Sequence, residues 1–278
     1  MNATTRAHFL RALAPVCVLL AAAPAAPAAS FTVADAEGFD SANYSLGILE
    51  GQFGSTNGGF GSTPWVQSPI GGTSTAVVQD SVVASGDQAV RVDRAANSDD
   101  RWALPVTGFP AERYICIDWD MMVLQSSTTG FGPFFGIEAY DDDATSILRI
   151  GSLGVDAATS DVLVTDAAVG LIETGVTVNF GEWYSYRMIL DYDTDTYFAF
   201  VDGALVYEGD FEFPGIDQFT DADIAAIAAS FDPASQAATG TAYFDNYFVF
   251  ETDLNKIPEP AAFALAMVAF AGLAAGRR

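Results

Sequence analysis

The chain has 278 residues, 36 of them Asp or Glu against 11 Lys or Arg, for a formal net charge of −25 at neutral pH. A surface this acidic repels phosphate backbones and anionic lipid, which excludes nucleic acid as a partner. The one histidine, His8, and one of the two cysteines, Cys17, stand near the start. From Ser30 to Pro258 there is no His, so no Ser-His-Asp triad, Cys-His pair or His-ligated zinc site can be assembled there.

Residues 1–29 read as a secretory signal peptide. Arg6 and Arg11 form a positive start, Ala12 to Ala23 an apolar core, and Ala26-Pro27-Ala28 a small-residue cleavage site. Export implies an oxidising compartment, where Cys116, alone after removal of Cys17, has no internal disulfide partner. Its surroundings, Tyr114-Ile115-Cys116-Ile117, predict a small buried hydrophobe in a strand.

Residues 30–252 are expected to form one all-β domain. Short runs rich in Val, Ile, Phe, Tyr and Thr alternate with turns of Gly, Asp, Ser and Pro. In chain order the predicted strands are Thr75–Val83, Gln88–Asp93, Arg113–Leu124, Phe134–Tyr140, Ser146–Gly151, Val162–Thr165, Glu182–Tyr192, Tyr197–Val201, Ala204–Phe211 and Thr241–Glu251. Ten strands with turns this close together point to a two-sheet antiparallel sandwich. Trp65 and Trp102 stand beside Pro, Gly and Asp in loop-like contexts, where exposed rings would stack on sugars. Asp118-Trp119-Asp120 puts two carboxylates on one strand face. Asp141-Asp142-Asp143 reads as a surface turn. Asp191-x-Asp193-x-Asp195 imitates a calcium loop but has Thr196 where the sharp turn needs Gly, so it reads as a hairpin turn. In Glu182–Tyr192, Tyr184, Tyr186, Met188, Leu190 and Tyr192 share one face, and a second hairpin closes at Asp202-Gly203. Asp221–Phe231 suits helix or strand and is read as a strand.

The Trp183-Tyr184 strand, the acidic turn and the Val201-Asp202-Gly203 turn, in this order, resemble concanavalin A-like and laminin G-like jelly-roll domains. Phe39-Asp40 to Gly51, Trp65 and Gly86–Val92 resemble the first strands of that family, and Tyr243–Val249 its closing strand. The resemblance implies a carbohydrate-binding module. It also implies a structural Ca2+ held by Asp245 with Asp40 or Glu37. The Glu-x-Asp-x-x-Glu strand of glucanases that share such a sandwich is absent, and the expectation is a chain that is not an enzyme.

The C-terminus runs Lys256-Ile257-Pro258-Glu259-Pro260, then sixteen uncharged residues from Ala261 to Gly276, then Arg277-Arg278. As a helix the apolar run would span about 24 Å, slightly less than the roughly 30 Å of a bilayer core. Pro258-Glu259-Pro260, apolar helix 261–276 and terminal Arg277-Arg278 resemble the PEP-CTERM sorting signal. That resemblance implies recognition by an exosortase, a transient inner-membrane anchor within residues 253–278, and delivery to the outer surface or extracellular matrix. The expected whole is a binding module for extracellular polysaccharide. A purely structural matrix protein, and less so a divergent glycoside hydrolase or polysaccharide lyase, are the alternatives.

Overall fold

The computed structural model describes residues 31–56, 59–69, 71–106, 114–126, 131–142 and 147–252. Both terminal signals, and Asp143 of the acidic turn, lie outside the described residues. In chain order the strands are β1 (Phe31–Asp35), β2 (Gly47–Ile48), β3 (Phe53–Thr56), β4 (Gly59–Pro64), β5 (Val66–Ser68), β6 (Thr75–Gln79), β7 (Ala89–Arg94), β8 (Asp100–Ala103), β9 (Tyr114–Val123), β10 (Phe134–Asp142), β11 (Ile147–Asp156), β12 (Asp161–Asp166), β13 (Gly170–Thr177), β14 (Tyr184–Asp191), β15 (Thr196–Val201), β16 (Ala204–Asp210), β17 (Asp221–Ile227) and β18 (Gly240–Glu251). A short α-helix, α1, spans Pro233–Ala237, with the Asp232 carboxylate accepting the Ala234 N–H at its start.

These strands make a jelly-roll sandwich of two antiparallel sheets. The first runs β16-β15-β14-β9-β18 and then divides, because β18 pairs with β7 along Gly240–Phe244 and with β1 along Phe248–Glu251. The second, of seven strands, runs β13-β12-β11-β10-β17-β8-β5. The period-two rule sorts the side chains. Ile115, Ile117, Trp119 and Met121 of β9, with Tyr186, Met188 and Leu190 of β14, meet Phe135, Ile137 and Ala139 of β10 and Ala222, Ile224 and Ala226 of β17 in one core. Asp221–Ile227 is thus a strand, which resolves the segment that suited helix or strand in the sequence.

A bulge in β18 resets that alternation. Ala242 and Phe244 point into the core before it, Tyr247 and Val249 after it, and Asn246 between them takes a left-handed φ of 51°. Beyond the core, the second sheet presents the alternate residues of its strands outward. These include Arg101, Glu138, Tyr140, Arg149, Asp221 and Asp223.

Candidate functional site

The outer face of the seven-stranded sheet holds an open cleft of about 710 Å³. Its floor comes from β8, β10 and β17, with Arg101, Tyr140, Asp142, Asp221 and Asp223. Its rim carries Val66, Pro105, Val106, Ile147, Gln218 and Thr220. Register brings the floor together. Glu138 stands opposite Asp223, and Tyr140 opposite Asp221 on one side and Arg149 on the other. β8 is fixed at its start by Asp100, whose carboxylate accepts from the Ser74 N–H at 3.0 Å and from Gln67 Nε2 at 3.1 Å.

Beside the cleft lies a buried ionic knot. Glu138 is 0% exposed and accepts from Arg101 Nε at 2.5 Å, from Arg149 Nη1 and from the Tyr140 hydroxyl at 2.9 Å. Arg149 also forks onto Glu212, at 2.6 and 3.1 Å. Burial opposes the Glu138 charge, but the two guanidiniums hold its carboxyl below the usual range. Arg101 spends only its Nε on this knot, donating also to the Tyr140 oxygen at 3.0 Å. Its Nη groups bond no described residue.

The other carboxylates of the cleft lack such support. Asp223 is 6% exposed, and its Oδ1 is buried with no hydrogen-bond partner. Burial first, then the charges of Asp221 and Glu138, push its pKa well above the ordinary value. Burial and the neighbouring Asp142 raise Asp221 to about 7, against one hydrogen bond from the Thr220 hydroxyl. Burial and Asp141 raise Asp142 as well. The site therefore combines hydrogen-bond donors, three carboxyls with raised pKa values, of which Asp221 stands at about 7, and an apolar rim.

The residues singled out in the sequence lie elsewhere. Trp65 and Trp102 are each 1% exposed, so the expectation of exposed, sugar-stacking rings is corrected. Trp65 donates from Nε1 to the Tyr44 hydroxyl at 3.0 Å and packs on Phe39 and Tyr247. Trp102 is an inward residue of β8, paired with Ile224. Asp245 is buried at the β18 bulge, where its oxygens accept the N–H groups of Ala84, Ser85 and Asn246 at 2.8–3.1 Å. Asp40 accepts the Asp87 N–H at 2.8 Å, and Glu37 accepts from the Asn43 side chain. These carboxylates already face N–H donors, which do not fit a cation. Among the described residues no group of three or more His, Cys, Asp or Glu is placed to hold a metal. Asp118 and Asp120 lie on the outer face of the other sheet. Arg187 forks onto Asp118 at 2.6 Å, and Ser185 and Asn246 donate to Asp120.

No protein-family model matches the chain, and no curated protein matches it. Solved structures do. A sialidase aligns at 12% identity and TM-score 0.48 over 68% of this chain and 17% of its own. Cellulose induced protein Cip1 aligns at 14% and 0.48 over 68% and 91%. Alginate lyase Aly36B aligns at 13% and 0.46 over 81% and 97%. At these identities the likeness shows the fold alone and gives no residue a role. Alginate lyases, a sialidase and a carbohydrate esterase stand among the matches, so the fold does not support the expectation that the chain is not an enzyme.

Proposed function

We propose that the protein is exported and carbohydrate-directed, and that a stretch of extracellular polysaccharide lies in the cleft of the seven-stranded sheet. The observation that carries this is a cleft offering directional polar groups not spent on the fold. Asp223 Oδ1 lacks a partner, the Arg101 Nη groups bond no described residue, and Val66, Pro105 and Ile147 supply apolar rim surface. Saccharides match such a mixture, because hydroxyls need several oriented partners and ring C–H faces need apolar contact.

The test is binding of a panel of soluble polysaccharides by wild type and by Asp223→Asn, with products assayed for new chain ends. Saturable binding weakened at least fivefold in the variant supports the reading. Absence of binding across the panel sinks it and leaves a purely structural matrix role. A catalytic version of the same reading rests on Asp221, with its pKa near 7 beside Asp223 and Tyr140. New chain ends from wild type, absent with Asp221→Asn, would support it.

Export is part of the same proposal. Residues 1–29 would direct secretion, and Pro258-Glu259-Pro260, residues 261–276 and Arg277-Arg278 would present the chain to an exosortase at the inner membrane. Deleting Pro258–Pro260 is expected to leave full-length protein in that membrane. Delivery outside at normal size in the deletion would contradict the sorting step.

A further inference from the structure

The charge balance around the cleft bears on the class of sugar. Arg101 and Arg149 are the cations that meet at Glu138, and Glu138 with Glu212 balances them. Asp142, Asp221 and Asp223 then remain, and among the described residues none of the three is in an ion pair. They stand on two adjacent strands, with Asp221 opposite Tyr140 and Asp223 opposite Glu138. Among the described residues the charged groups around them are Arg101 from β8, Glu138 and Asp141 from β10, Arg149 from β11 and Glu212 from the segment after β16. The cleft is therefore short of positive charge.

Resting on the saccharide reading above, we infer that the cleft selects sugar units bearing a free, cationic amino group over uronates and over neutral or N-acetylated units. A uronate would bring a further negative charge beside three carboxyl groups whose own ionisation is already opposed by one another. A neutral hydroxyl can bond one of them but leaves the repulsion in place. An ammonium brings three N–H donors and the missing charge together. One donor suits Asp223 Oδ1, which is buried without a partner, while Asp221 and Asp142 attract the charge from further off. The carboxylates are not gathered as a metal-ligand group, so a cation there is held by one hydrogen bond and the summed charge of its neighbours, not by chelation. The raised pKa values of Asp221 and Asp223 accord with this, because an incoming cation lets both ionise.

The experiment measures binding of a glucosamine tetrasaccharide, its fully N-acetylated counterpart and an alginate tetrasaccharide to the full chain at pH 6 and fixed salt. Asp221→Asn, Asp223→Asn and Val66→Trp, which fills the cleft from its exposed rim, are tested beside wild type. Thermal unfolding confirms that each variant folds. Wild type is expected to bind the amino form at least tenfold more tightly than the acetylated form and to ignore alginate. Each Asn variant should pull that ratio below threefold, and Val66→Trp should weaken both sugars. Equal or tighter binding of the acetylated or alginate form overturns this inference and leaves the saccharide reading standing. Amino-sugar binding unchanged in Val66→Trp also overturns it, since it would reflect general attraction to an acidic chain. No binding of any oligosaccharide removes both.

Discussion

Asp223 carries the sharpest consequence at the scale of single residues. Its folded pKa is raised, so the folded chain holds a proton that the unfolded chain has released once the pH exceeds about 4. The contribution is complete at low pH and is lost as the pH climbs towards the raised folded values, with Asp221 near 7 marking part of that window. Asp223→Asn is expected to raise unfolding stability at pH 7.5 by about 1–3 kcal/mol and to add almost nothing at pH 4. Denaturant unfolding at the two pH values measures this, and an equal loss at both would show that the carboxylate is a structural acceptor. Residues that cost stability where they stand are a usual mark of a functional site. Glu138 is the converse. Removing it by Glu138→Ala strands two guanidiniums and should cost about 3–5 kcal/mol, read as a large drop in Tm. Unchanged Tm would show that water, not Glu138, balances them.

Among the elements, β18 shows how one acidic residue holds a strand that serves two sets of neighbours. Asp245 takes three backbone N–H groups where the pairing passes from β7 to β1. Asp245→Ala leaves those donors buried without an acceptor, a loss of about 2–4 kcal/mol. Added calcium should leave the stability of wild type and variant equally unchanged. A calcium-dependent rise in wild type alone would return Asp245 to the metal role that the resemblance implies. Much of this level was legible in the sequence. The alternation of Tyr186, Met188 and Leu190, and the hairpin through Thr196–Val201, stand as read. β13 escaped because Gly170–Thr177 buries no side chain fully and so shows no apolar period. β5 and β8 escaped because strands of three and four residues are too short to show a pattern.

For the whole molecule, the sandwich followed from spacing of apolar runs, but the cleft did not. Arg101, Tyr140, Asp221 and Asp223 lie far apart in sequence and meet only through the strand order β11-β10-β17-β8, which no local signal specifies. One clue was present. Glu138 and Tyr140, and likewise Asp221 and Asp223, are polar residues at alternate positions of otherwise apolar strands, as an outward face with work to do requires. Trp65 and Trp102 misled because neighbouring Pro, Gly and Asp say nothing of burial. Asp118 and Asp120 share one strand face as read, but their partners, Arg187, Ser185 and Asn246, come from two other strands and were not legible.

The two faces of the sandwich therefore make opposite claims about a ligand, and one measurement separates them. Amide chemical shifts of the protein would be followed by NMR while a bound oligosaccharide is titrated in. The account predicts saturable shifts clustered at Val66, Arg101, Tyr140, Asp142, Asp221 and Asp223, with Asp118, Asp120 and Arg187 undisturbed. Shifts centred on Asp118, Asp120 and Arg187, with the cleft silent, would contradict it.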